Sequence, residues 1–321
     1  LLDEDHILGF DEIEVSKDDA KCKLAEKWMQ KTAVDSELQV NENDTQIHIK
    51  GREFAYTIDR RTALFTEMKF AGREYLNHPM ELNIWRAPTD NDMYIKAEWK
   101  KAHYDKAYTR AYTTEVVQGK HGVKIVSHAS VVAETVQKIL DVTITWKIDA
   151  SGKIDADIEA TKDGEFPDLP RFGVRMFLDK KLSDARYFGM GPQESYRDKH
   201  QAASHGLYRA NVGDLHEDYI RPQENGSHYD CEYVELNNSR YGIVVSAENA
   251  FSFNASYYTQ EELEEKTHNY ELTESDSVVF CVDYALNGIG SNSCGPVVLE
   301  QYRFDDVLFR FQFTLIPYIK G

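Results

Sequence analysis

Carboxylates in loop-forming sequence are the residues best placed to do chemistry. Asp90 and Asp92 flank Asn91, Glu194 follows a Gly/Pro-rich run, and Glu224 stands in Arg221-Pro222-Gln223-Glu224-Asn225-Gly226. Two carboxyl groups about 5–5.5 Å apart suit glycoside hydrolysis with retention, and about 6.5–9.5 Å suits inversion. Asn and Asp in such loops also fix turns through their own side chains, so a purely structural use competes with catalysis. Histidines offer a second route. His200, His205, His216, His228 and His268 lie in no HExxH frame, which argues against a zinc hydrolase site. A pair such as His228 with Glu224 would suit proton transfer at a sugar ring, as in an epimerase. The competing reading is a loop histidine bonded to backbone. Cys294 sits in Gly288-Ile289-Gly290-Ser291-Asn292-Ser293-Cys294-Gly295-Pro296. Its neighbours are neutral, and an activated thiolate needs electropositive ones. No lysine follows, so this is not a phosphate-cradling loop.

The elements that must hold these loops read as strands. Val142, Ile144, Trp146 and Ile148 alternate with polar residues, as do Phe309, Phe311, Phe313 and Leu315, the period of a half-buried strand. Val174, Met176 and Leu178 alternate with Arg175 and Phe177 in the same way. Similar runs recur at 46–49, 122–127, 242–246 and 278–284. Many strands between turn residues predict a large antiparallel all-β protein, a sandwich or barrel. Helix signals are few. Thr259-Gln260-Glu261-Glu262 is a capping box that predicts a short helix to about His268. Residues 20–31 have helical propensity but suit an extended linker equally.

The chain has 321 residues and 37 lysines and arginines against 55 aspartates and glutamates, a net charge of −18. That surplus repels phosphate backbones and anionic headgroups, so no nucleic-acid or membrane partner is expected. No run approaches the ~18–20 apolar residues that span a bilayer, and mean hydropathy is −0.57. Cys22, Cys231, Cys281 and Cys294 form no CxxC pair. Free thiols and a cytoplasmic location are expected. The first residues have neither a signal-peptide pattern nor an initiator methionine, so an excerpt of a longer protein is expected.

Five loop strings carry a resemblance. Trp85-Arg86-Ala87-Pro88-Thr89-Asp90-Asn91-Asp92 comes first in importance, then Gly189-Met190-Gly191-Pro192-Gln193-Glu194-Ser195-Tyr196-Arg197-Asp198 and Tyr219-Ile220-Arg221-Pro222-Gln223-Glu224-Asn225-Gly226. Leu169-Pro170-Arg171-Phe172-Gly173 and Gly288 through Pro296 complete the set. In order and content they resemble the small-chain (fifth) domain of family 2 β-galactosidases, a hydrolase group of carbohydrate metabolism.

The resemblance implies an antiparallel β-supersandwich, galactose mutarotase-like, over residues 38–321. Residues 1–16 resemble the last strand of an immunoglobulin-like domain, with 17–37 as a linker. It also implies that the catalytic glutamates, with Mg and Na, lie in an upstream TIM-barrel catalytic domain, on the same or a separate chain. No catalytic residue, metal or cofactor is then expected in this segment, which alone would be inactive. The full enzyme would be oligomeric and act on a galactoside substrate. This domain would shape the pocket edge through Cys294, Ser293 and Asn292, with Cys294 where the family carries a sugar-stacking aromatic. Trp85, Arg86, Asp90, Asn91, Asp92, Glu194, Tyr196, Glu224 and Asn225 become structural motif residues. Arg197 stands where some members carry proline. The alternatives are a stand-alone mutarotase-like epimerase and a non-catalytic carbohydrate-binding module.

Overall fold

The computed structural model describes residues 9–13, 38–290 and 293–320. The expectations for residues 20–31, for the linker at 17–37, for Asn292 and for most of the segment 1–16 lie outside the described residues. The fold of the rest is antiparallel β throughout.

A five-stranded meander opens it: β1 (Gln39–Glu42), β2 (Gln46–Lys50), β3 (Phe54–Asp59), β4 (Leu64–Phe70) and β5 (Arg73–Glu74). Along β2, Ile47 and Ile49 are buried while His48 and Lys50 are not, the alternation of a strand with one wet face. The other strands form one large sheet. They are β6 (Leu76–Asn83), β7 (Tyr108–Gln118), β8 (Gly122–Val132), β9 (Leu140–Asp149), β10 (Ile154–Lys162) and β11 (Arg171–Asp179). The series continues with β12 (Asp184–Gly191), β13 (Ser204–Asn211), β14 (Ser227–Asn237), β15 (Tyr241–Ser256), β16 (Ser277–Leu286) and β17 (Leu308–Ile319). Their order is β13-β12-β14-β15-β17-β10-β9-β8-β7, with a branch in which β15 also pairs β16, β16 pairs β11 and β11 pairs β6.

The branch arises because β15 is long enough to serve two leaves. Residues 241–246 pair with β17, and residues 252–256 pair with β16. Its neighbour β14 shifts register twice over the same stretch, between His228 and Tyr233. The meander packs on the large sheet through its aromatic residues. Trp146 donates its indole N–H to the Ala63 carbonyl at 2.8 Å, and Phe65 meets the Trp146 ring edge-on at 4.9 Å. Tyr56 donates to the Gly152 carbonyl at 2.7 Å. Buried aromatic rings with satisfied polar tips add both apolar area and a fixed geometry.

Two details differ from the sequence reading. On β11 the expected wet face is missing: Arg171 and Arg175 are buried and Phe177 is only half exposed. Burial of Arg175 is possible because Glu81 and Glu261 meet its guanidinium at 2.6 and 2.8 Å. Helix α2 (Gln260–Glu265) ends three residues before His268; the first helix, α1, is Ile95–Lys101. Thr259 caps α2 as expected, accepting from the Glu262 N–H at 3.1 Å. Lys266 is extended, and the Glu262 carboxylate accepts from the Thr273 N–H at 2.8 Å. Cys231 and Cys281 are buried free thiols and Cys294 is an exposed one. Among the described residues no helix is long and apolar enough to cross a membrane.

Gly173 shows why one motif needs a glycine. A bulge between Phe172 and Gly173 brings β11 so close to β16 that a Cβ there would overlap the Val282 carbonyl and the Asp283 carboxylate. Gly173→Ala is expected to lower unfolding free energy by about 2–3 kcal/mol, read from the urea midpoint. An unchanged midpoint would show that the strands can separate at no cost.

Candidate functional site

Four of the five motif strings meet around one cleft of about 730 Å³, and the fifth reaches it through Arg171, which bonds Glu224. The loop Thr89–Asn91, the pair Asp198–Lys199, Tyr219, the pair Gln223–Glu224 and the pair Ile289–Gly290 supply its polar side, and Pro296–Leu299 with Tyr302 its apolar side.

Beneath it lies Arg86, with no solvent exposure. Its Nη2 and Nε bond the Asp92 carboxylate at 2.8 and 3.2 Å, and Nη1 and Nη2 reach the carbonyls of Asn287 and Gly288 at 2.5 and 3.2 Å. The guanidinium lies 5.2 Å from the centre of the Trp99 ring. Asp92 also accepts from the Thr89 N–H at 2.8 Å, closing the 3-10 turn Asp90–Asp92. Trp85 donates to Glu264 at 3.1 Å and packs edge-on against Trp99. One ion pair thereby ties the Trp85–Asp92 loop to the glycine-rich loop that begins at Gly288.

Asn91 and Asp198 hold the next stretch of that glycine-rich loop. Asn91 donates to the Gly290 carbonyl and accepts from Ser293 Oγ at 3.1 Å. Asp198 accepts from the N–H groups of Ile289 and Gly290 at 3.1 and 2.7 Å. Cys294 is exposed and follows Ser293 at the end of this staple. Asp90 bonds Gln223 through its N–H at 3.0 Å. The Glu224 N–H donates to the Ala87 carbonyl at 3.1 Å, so the first and third motif loops run side by side.

The other carboxylates are tied to cations as well. Glu194 accepts from Lys199 at 2.5 Å, from the Gly226 N–H at 2.9 Å and from the Tyr219 hydroxyl. Glu224 meets Arg171 at 3.3 Å, and Arg171 binds Asp283 in a fork at 2.6 and 3.1 Å. Burial pushes the Glu224 and Asp283 carboxyl groups upward, while Arg171 opposes the shift in both. The second Glu224 oxygen has no partner, and Glu224 lines the cleft. Burial raises the Tyr196 hydroxyl, with the charges of Glu224 and Glu194 adding to it. Asn225 is spent on backbone: it accepts from the Glu217 N–H at 3.0 Å and donates to the Gln223 carbonyl at 2.9 Å. Gly226 takes a left-handed φ of 70° beside the Leu215 carbonyl, a position closed to side chains.

His228 does not face the cleft. Its Nδ1 pairs with the Met190 carbonyl at 3.2 Å and its ring stacks on Phe253. The pairing with Glu224 considered from sequence is therefore not what holds this ring. Asp198, Lys199, Gln223 and Tyr219 fall inside or beside the motif strings, whose turn-forming sequence is the only signal that marks them. Asp283 gave only one signal, a charge within an apolar run. Among the described residues no three His, Cys, Asp or Glu gather as a metal site.

Comparison with known proteins gives the architecture its family. The profile described as "Beta galactosidase small chain" matches residues 50–315. The chain belongs to the β-galactosidase small-chain family. It is 43% identical over 316 residues to the β-galactosidase of Actinobacillus pleuropneumoniae, covering 98% of this chain and 30% of that protein. It is 33% identical over 282 residues to that of Staphylococcus xylosus, covering 88% and 28%. The chain thus spans less than a third of the length of these curated relatives. A galactose 1-epimerase structure from Lactobacillus acidophilus NCFM aligns over 89% of this chain and 99% of its own at 10% identity and a TM-score of 0.44, too distant to bear on chemistry.

In this small-chain domain, acid stability should report on His228. Burial depresses its pKa to about 4, below the ordinary value near 6.5. The unfolded chain therefore takes up the proton first, and stability present above about pH 6.5 is lost as pH falls to about 4. The full loss is about 3 kcal/mol. His228→Phe keeps a stacked ring and should flatten most of this slope in urea titrations between pH 7 and 4. His216, shifted the same way by burial, leaves a residue of it. An identical slope in the variant would place the proton uptake elsewhere.

Proposed function

We propose that this chain is the C-terminal part of a retaining β-galactosidase that hydrolyses terminal β-D-galactosides such as lactose. In this reading its cleft is one wall of the active-site pocket. The acid/base and nucleophilic glutamates, with any Mg²⁺ and Na⁺, belong to a TIM-barrel domain outside this chain, and the whole is a cytoplasmic oligomer. The observation that carries the reading is that four of the five motif strings line one cleft and the fifth reaches it through Arg171, which holds the cleft's Glu224. Such a cleft has hydrogen-bonding groups and an apolar side for a sugar, while Glu224 is tied to Arg171 and Asp198 to the N–H groups of Ile289 and Gly290. A stand-alone epimerase is disfavoured because His228, the base it would need, is buried against Phe253 and bonded to Met190.

Activity measurements separate the readings. The 321-residue chain alone should not turn over a chromogenic β-galactoside, and turnover should appear when it is joined to the missing part. In the joined enzyme, Cys294→Trp adds a stacking face beside Ser293 and should tighten glucose or another acceptor by about 3–10-fold while leaving galactose within about twofold. Robust turnover by the chain alone contradicts the reading. An acceptor affinity unmoved by Cys294→Trp places that loop away from substrate.

A further inference from the structure

A second cavity, of about 230 Å³, shares a wall with the cleft: Tyr196 and Arg197 line the cavity, while Asp198 and Lys199 line the cleft. It forms where β14 and β15 change partners. Residues 247–250 fall between the two ladders of β15, and Ala250 lines the cavity. Opposite, Asp230 adopts a left-handed φ of 54° within the first register shift of β14, between His228 and Cys231. Bulges re-aim side chains, and a non-glycine residue held at positive φ is strain that the surrounding fold must support. Both irregularities open onto this one space.

The lining has a definite chemistry. Ser227 is 1% exposed, and its hydroxyl has no partner, a cost that a ligand hydroxyl would remove. Arg197 spends one N–H on the Arg303 carbonyl at 2.9 Å, and a guanidinium has five. Asp230 and Asp306 supply acceptors, Tyr229 and Tyr284 supply rings with hydroxyls, and Phe251 and Leu286 are apolar. A charged ligand of either sign meets a like charge here, from Arg197 or from the two aspartates. A neutral polyol does not: it donates to the carboxylates, accepts from Arg197 and Ser227, and rests its C–H face on a ring.

We propose that this cavity is a sugar-binding pocket separate from the cleft, taking a neutral pyranose. The proposal does not rest on the galactosidase reading.

Titration of the 321-residue chain with galactose, glucose and lactose, followed by calorimetry and protein-observed NMR, tests it. Saturable binding is expected with a Kd on the order of 1 mM. Ala250→Trp, at an exposed position on the wall, fills the cavity and should weaken that binding at least about tenfold, as should Arg197→Leu. Val298→Trp fills the cleft instead and should leave it within about twofold. No saturable binding, or binding lost in Val298→Trp and kept in Ala250→Trp, overturns the proposal. Tighter binding of gluconate or galactosamine than of galactose overturns the choice of a neutral ligand.

Discussion

A guanidinium cut off from water must find its acceptors inside the protein, and how Arg86 finds them decides the shape of the face that carries the cleft. Two of its contacts are the oxygens of Asp92 and two are backbone carbonyls 201 and 202 residues away in sequence, at Asn287 and Gly288. Desolvating one charge alone would cost several kcal/mol, and the paired geometry offsets that cost only while every contact is kept. The pair therefore behaves as a latch. With it closed, the Trp85–Asp92 loop and the glycine-rich loop share one position. Asn91, Asp198 and Gln223 then add bonds that neither loop could make alone.

The same logic repeats at Arg171, which joins Asp283 on β16 to Glu224 in a loop before β14. Buried cations thus sit where the strands and loops of the motif strings meet. The strands supply a rigid frame, and the ion pairs convert the frame's loops into a surface of fixed shape. One oxygen of Glu224, a residue lining the cleft, is the exception, buried without a partner.

Much of this was legible in the residues. The alternation at Val142–Ile148 and Phe309–Leu315 is the strand pattern of β9 and β17, because one face of each is wet. The alternation at Val174–Leu178 misled about β11, since a buried arginine with two carboxylate partners reads as a polar, outward residue. Residues such as Asp90, Asn91 and Glu194 stood out because turn-forming sequence surrounds them. Asp283 did not, because its one signal, a charge in an apolar strand, points to no role until its partner, Arg171, is known. The cavity beside Ser227 was invisible for a similar reason: it is made by the register of two strands, and period-2 patterning says nothing of where a register slips.

The claim that the cleft is a wall of a galactoside pocket is most directly tested by amide hydrogen exchange on the complete enzyme, with and without a tight galactoside inhibitor. Segments containing the backbone N–H groups of Asp90, Ile289 and Gly290 border the cleft, and each of these groups already bonds a side chain that lines it. The account predicts that inhibitor slows exchange in those segments several-fold while the strands β7 and β8, on the far edge of the large sheet, are unchanged. Protection confined to the rest of the enzyme, with these two segments exchanging as before, would contradict it.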